Sequence, residues 1–334
     1  MWCVLIRARV STWVVQSPER VTTVSLIEQL QKRAALLTQI RSFFMERGVL
    51  EVEVPLISRC ATTDLHIESI PALVEQNGQC QERYLITSPE FYMKRMLAQG
   101  APAIFYLGKV FRQGDHGRRH HHEFTMLEWY RPQWNEQQLM DEIRELLTLF
   151  FPQTPYRRVS YGELFVSQFG IDPHEASHEE LIQCVGQHID IKLDELSHSD
   201  CLDLLFSHCI EPGLSGITFV VQYPVQMAAL AKTGINLRQQ PVARRFEVFL
   251  DDMELANGYA ELTDPQEQAA RFDRDLLLRR QQNKKMYPPD FHLLQSLRTG
   301  LPECAGVALG LDRLQMKIQG AASLEELIPF LGDQ

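Results

Sequence analysis

Phe111-Arg112, ten residues of polar loop, then Glu123-Phe124-Thr125-Met126-Leu127-Glu128-Trp129-Tyr130: this stretch reads as two strands joined by a long turn. Ala103 to Arg112 forms the first strand and Glu123 to Tyr130 the second, both rich in aromatic and apolar residues. Side chains alternate along a strand, so Phe124, Met126, Glu128 and Tyr130 share one face. A carboxylate in a row with aromatic rings is unusual on a packed face and suits a pocket that takes a cation beside a flat ring. The loop carries Arg118, Arg119 and the run His120-His121-His122, a set able to clamp phosphates. The plainer reading is a solvated hairpin tip on a half-exposed sheet. Consecutive histidines point in different directions, which argues against a metal shell there.

A second hairpin lies downstream, Arg245-Phe-Glu247-Val-Phe-Leu-Asp-Asp-Met-Glu254-Leu-Ala-Asn257-Gly258. With Asp251-Asp252 as a two-residue turn, Leu250 pairs with Met253 and Phe249 with Glu254. Glu247 and Glu254 then become diagonal neighbours on one face. Two such carboxylates repel unless a cation sits between them, and beside phosphates magnesium is the natural one. The plainer alternative is two exposed surface glutamates. Strict pairing sends Asn257 to the opposite face, and a bulge near Gly258 is needed to bring it back.

Gly306-Val-Ala308-Leu-Gly310-Leu-Asp312-Arg313 reads as a small-residue strand running into a helix that starts near Asp312. An arginine at a helix start is well placed for a phosphate or an adenine ring. Near the N-terminus, Ser25 with Glu28 fits a capping box, and Leu26, Leu30, Ala34, Leu37, Ile40 and Phe44 follow at helical spacing up to Gly48. Val49 to Pro55 alternates as a half-buried strand. Residues 136–151, 177–188 and 264–285 look helical. Long hairpins plus helices, without regular βαβ alternation, predict an α+β fold built on an antiparallel sheet.

The 334 residues include 45% apolar and 23% charged residues, enough to build a core without staples. A formal net charge of -10 speaks against a general nucleic-acid binder. Seven scattered cysteines with no CxxC pair speak against a disulfide framework or a zinc ribbon, and cytosolic thiols are the default. No apolar run is long enough to span a membrane, and a cytoplasmic location is expected. Residues 1–25 are expected to form a poorly ordered extension ahead of one catalytic domain over residues 26–334.

Taken together these segments resemble, in order, motifs 1, 2 and 3 of the class II aminoacyl-tRNA synthetases. Ser88-Pro-Glu-Phe-Tyr-Met-Lys-Arg95, Glu123 to Glu128 and Glu254-Leu-Ala-Asn-Gly258 look lysyl-type. Motif 1 begins near residue 26, which leaves no room for the anticodon-binding domain of lysyl-tRNA synthetases. With Trp129 and Ala308, this makes the chain similar to the compact paralogue family, the elongation factor P lysine ligases. The resemblance implies ATP as co-substrate with Mg2+, β-lysine or lysine as the amino acid, elongation factor P as acceptor and a homodimer through motif 1. It assigns Arg112 to the α-phosphate and Phe124 and Arg313 to the two faces of adenine. Arg119, His120 and His121 would reach the outer phosphates or the ribose side. Gln113, Gly114, Leu255 and Gly310 would complete the nucleotide contacts. Glu247 and Glu254 would bind magnesium. Ser88, Pro89, Glu90, Glu128, Tyr130, Asn257 and Glu261 would form the amino-acid pocket.

Motif 2 of the family reads Arg-x-Glu, whereas this chain has Arg112-Gln113-Gly114-Asp115, with the carboxylate one position later. Two other readings stand beside the ligase. One is a trimmed synthetase that charges tRNA, disfavoured by the acidic balance. The other is a non-catalytic regulatory paralogue, to which the Gly114 departure points.

Overall fold

The computed structural model describes residues 25–114, 116–193 and 196–331. The expected extension and Asp115 therefore lie outside the described residues, apart from Ser25 itself. Ser25 caps the first helix, accepting from the Glu28 backbone N–H at 3.2 Å, and α1 runs Leu26–Glu46. Gly48 ends the segment at a φ of 66°, which a side chain would resist. Strand β1 is only Leu50–Glu51, shorter than the alternation of Val49 to Pro55 predicts. Val52 still donates to the Phe105 carbonyl at 2.8 Å, but the chain then leaves the sheet edge towards Pro55, which has no N–H to offer.

Strands β2 (Ile57–Ser58), β3 (Pro71–Gln76) and β4 (Gln79–Leu85) form a small sheet in the order β2-β4-β3, turned at Asn77-Gly78. Helix α2 (Glu90–Ala98) follows, then the hairpin β5 (Ile104–Phe111) and β6 (Glu123–Pro132), α3 (Glu136–Thr148) and β7 (Tyr156–Ser160). Helices α4 (Tyr161–Phe169), α5 (His178–His188) and α6 (His198–Leu205) precede β8 (Ile217–Pro224), β9 (Thr233–Ile235), β10 (Pro241–Leu250) and β11 (Met253–Ala260). The chain closes with α7 (Pro265–Gln281), α8 (Phe291–Gly300), β12 (Cys304–Gly310) and α9 (Leu311–Gln319).

The main sheet runs β1-β5-β6-β12-β11-β10-β8-β7, with β9 beside β10. All its pairings are antiparallel except the outer ones, β1 with β5 and β7 with β8. The expected α+β architecture is what the chain adopts. Leu127 and Trp129 face a core shared with α1, α3 and α9, where Phe44 lies 4.8 Å from the Phe105 ring and 5.1 Å from Trp129. On the opposite face, Met126 and Tyr130 pack towards α2 and α8. Further along, Val220, Tyr223, Ala243 and Phe249 pack against α4, α5 and α6. Two separate clusters therefore cover the ends of this face, and the middle of the sheet between them floors a cavity.

The β10–β11 register fixes which side chains reach that floor. Leu250 pairs with Met253 and Phe249 with Glu254, as the two-residue turn requires, and Asp251 takes the left-handed conformation there. The next pair is Val248 with Ala256, so Leu255 is an extra residue. This bulge resets the alternation and places Asn257 directly opposite Glu247. The bulge that Asn257 needs thus exists, three residues earlier than Gly258.

Candidate active site

The cavity holds about 860 Å³ and is lined along its floor by β6, β10, β11 and β12. One end is rich in carboxylates. Glu128 is 2% exposed and accepts from the Tyr130 hydroxyl at 2.7 Å and the Ser88 hydroxyl at 2.8 Å. Ser88 stands at the turn into α2, where its oxygen also accepts from the Glu90 N–H at 3.0 Å. Burial, with repulsion from Glu90, pushes the Glu128 carboxyl up to about 8, against the pull of the Tyr130 and Ser88 hydrogen bonds. Glu261 is 1% exposed, and burial pushes it to about 7 even though Lys94 opposes the shift.

Gly306 makes room at this end. A Cβ there would lie 2.3 Å from the Tyr130 ring and 2.4 Å from the Glu261 carboxylate. A small residue on β12 is therefore what lets a β6 side chain and the side chain just after β11 converge over it.

The other end is rich in arginine. The Arg112 guanidinium lies 5.2 Å from the Phe124 ring centroid, and its Nε is buried without a hydrogen-bond partner among the described residues. Arg313, in the first turn of α9, donates to the Glu254 carbonyl at 2.9 Å and to its carboxylate at 3.3 Å. It also contacts the His120 imidazole. Arg119 is held by Asp252 at 2.6 Å. A cavity with carboxylates at one end and guanidinium groups at the other takes a molecule that is cationic at one end and phosphorylated at the other.

Glu247 sits between these ends beneath the cavity wall. It accepts from the Tyr223 hydroxyl at 2.7 Å and is paired with Arg245. Burial raises its carboxyl, and Glu254 adds to the rise against the pull of Arg245. Glu211, in the turn before β8, is pushed to about 7 by burial and then by Glu254 and Glu247. Asn257 Oδ1 beside them is buried without a hydrogen-bond partner among the described residues. This oxygen-rich, mutually repelling set fits a hard divalent cation. Among the described residues no three His, Cys, Asp or Glu side chains form a closed metal cage, so such an ion would need phosphate or water oxygens as well.

The structure brings Ser88, Glu90, Arg112, Arg119, His120, His121, Phe124, Glu128, Tyr130, Glu254, Leu255, Asn257, Glu261, Gly310 and Arg313 to the cavity wall. Leu255 arrives there as the bulge residue, its side chain buried in the core on the other face. Four expected residues lie off the wall. Pro89 is the buried N-cap position of α2, which aims Ser88 and Glu90. Gln113 and Gly114 are exposed at the hairpin, where the Gln113 N–H is committed to the Glu68 carbonyl at 2.9 Å. Glu247 is turned into its contacts with Tyr223 and Arg245. Two residues at the site escaped the sequence reading. Lys94 stands four residues after Glu90, a helical ion-pair spacing, and Arg245 stands two before Glu247 on the same strand face.

A sheet of this order, with arginines from the motif 2 hairpin and from the helix after the last strand, is the catalytic domain of a class II tRNA synthetase type. Residues 20–334 match the family model described as tRNA synthetases class II (D, K and N), and the chain belongs to that family. Within it, the chain is 44% identical over 310 residues to the elongation factor P--(R)-beta-lysine ligase of Vibrio cholerae, covering 91% of this chain and 95% of that protein. It is 43% identical over 311 residues to the protein of the same name from Vibrio vulnificus, with the same coverage. The Yersinia enterocolitica protein of that name is 41% identical over 315 residues, covering 91% and 95%.

Proposed function

We propose that the chain activates (R)-β-lysine, or lysine, with ATP and transfers it to a lysine side chain of elongation factor P. The observation that carries this reading is the polarity of the cavity: Glu90, Glu128 and Glu261 at one end, Arg112 and Arg313 at the other. Its support from relatives is the shared name of proteins aligned over nearly their whole length.

In the first half-reaction a carboxylate oxygen of the amino acid attacks the α-phosphorus of ATP. The bond from that phosphorus to the bridging oxygen breaks, and pyrophosphate leaves with the electron pair. Arg112 stabilises the negative charge that builds on the α-phosphoryl oxygens, and no proton has to be removed from the attacking group. Phe124 and Arg313 stack on adenine and hold the nucleotide in line, which contributes by orientation. Glu254 and Glu247, once the latter turns from Arg245, would hold magnesium, which supplies positive charge to the phosphates. Glu128, with Ser88 and Tyr130, receives an ammonium group of the substrate.

In the second half-reaction the acceptor amine, in its neutral form, attacks the carbonyl carbon of the adenylate. The bond from that carbon to the phosphate oxygen breaks, AMP leaves with the electron pair, the nitrogen releases a proton to water and an amide forms. With a translation factor as acceptor, the proposed reaction is cytoplasmic. Among the described residues no helix is long and apolar enough to cross a membrane. The exposed apolar face of α1, with Leu26, Ile27 and Leu30, is proposed to pair two copies of the chain.

ATP–pyrophosphate exchange tests the first half-reaction. Exchange that depends on β-lysine or lysine is expected. No exchange with either, in protein that binds ATP, would shift the reading to a regulatory paralogue.

A further inference from the structure

Lys94 is the most deeply buried cation at the site, 1% exposed and absent from the cavity wall. Its ammonium lies 2.6 Å from Glu90 Oε1 and 2.6 Å from Glu261 Oε2, so it is clamped between two carboxylates that do line the wall. One partner comes from its own helix α2 and the other is the residue just after β11. An internal ammonium is thus fixed beside the place where substrate ammonium groups are proposed to bind.

Lys94 performs no step in the activation chemistry, yet a buried amine beside an acyl adenylate is a hazard. Were it neutral and mobile, it would compete with the proper acceptor for the acyl group. Burial alone would lower its pKa, but Glu261 and Glu90 more than reverse this and keep it protonated. Among the described residues, the other titratable groups facing this cluster are Glu128, Tyr130, Tyr259 and Cys304; burial raises all four, which keeps the two tyrosines and the cysteine neutral.

We propose that Lys94 is a positioning residue that sets the charge of the amine pocket to match a diamino acid. The proposal rests on the amino-acid activation described above. When substrate is bound, Glu90, Glu128 and Glu261 against the single Lys94 ammonium leave two negative charges. A diamino acid brings two ammonium groups, so the buried ensemble closes near neutrality, as burial of charge demands. The clamp also holds Glu90 and Glu261 at a fixed separation, because each keeps one oxygen on Lys94 and presents the remainder to the cavity.

The test is a charge cycle read by ATP–pyrophosphate exchange with β-lysine, using Lys94→Met, Glu90→Gln and the double variant. Lys94→Met removes one positive charge at similar length and is expected to raise the amino-acid KM by about tenfold or more. Its ATP affinity should stay within about twofold, because the nucleotide end is separate. The double variant restores the charge count and is expected to show a lower amino-acid KM than Glu90→Gln alone. That comparison holds even if Lys94→Met does not fold. An unchanged KM in folded Lys94→Met, an equal loss of ATP affinity, or a double variant no better than Glu90→Gln would overturn the proposal. Absence of amino-acid-dependent exchange in the unmodified chain would instead sink the activation reading itself.

Discussion

In the proposed reading, Glu128 is the residue on which the amino-acid end depends most. It is buried, it is held by two hydroxyl donors, and among the described residues it has no cationic partner of its own. Glu128→Gln keeps the shape and removes the charge. The amino-acid KM should rise roughly tenfold or more, since a hydrogen bond to a charged group contributes about 1.5–3 kcal/mol. ATP affinity should hold, and equal losses of both would argue against its pairing with an ammonium group.

The same residue predicts a pH dependence. In the free protein its carboxyl is pushed up to about 8, so it carries a proton at neutral pH. An arriving ammonium favours the ionised form and expels that proton. Amino-acid affinity should therefore rise with pH up to about 8 and level off above it, and Glu128→Gln should flatten the slope. Titration calorimetry in buffers of different ionisation enthalpy would read the released proton directly. Ala308 pairs with both Glu128 and Asn257 on β12, at the wall where substrate isomers would differ. Ala308→Gly should change the ratio of β-lysine to α-lysine activation, and an unchanged ratio would remove Ala308 as the discriminator.

Strands set what those residues can do, and they were the most legible elements in the sequence. The alternation through Glu123–Tyr130 and the Asp-Asp turn of the second hairpin both have simple periods, so faces and register followed directly. The Leu255 bulge was legible only as a need. Spacing says that an extra residue must exist, but packing of Leu255 and Ala256 into the same core decides where it falls. Helix α2 is not legible in the sequence, because its nine residues give too little periodicity to stand out from a turn. The Glu90–Lys94 spacing was visible, but the burial that makes Lys94 matter arises only when β11 brings Glu261 alongside. Gln113 and Gly114 followed family position, whereas the hairpin commits that backbone to Glu68.

At this scale strand β12 makes the sharpest prediction. Gly306→Ala would drive a methyl group into Tyr130 and Glu261. Thermal unfolding should show a loss of about 1–3 kcal/mol, typical of an overpacked site. Amino-acid activation should fall more than ATP binding, because the displaced groups belong to the proposed amine end.

For the whole molecule, a net charge of -10 and a cavity with a cationic phosphate end describe an enzyme whose positive charge is local. Such a surface repels a polyanionic acceptor except at the site itself. The exposed apolar positions on α1 predict self-association. Paired Ile27→Glu and Leu30→Glu substitutions should convert a dimer to a monomer in sedimentation velocity, and a wild-type chain that is monomeric at all concentrations would refute the pairing.

In the proposed reaction the acceptor is a protein lysine and not a tRNA end. The direct measurement is transfer of radiolabelled β-lysine by the purified chain, with ATP and magnesium, to elongation factor P or to bulk tRNA in parallel. Label that enters elongation factor P as an alkali-stable amide, with none on tRNA, is the predicted result. Alkali-labile label on tRNA with none on the factor would contradict it.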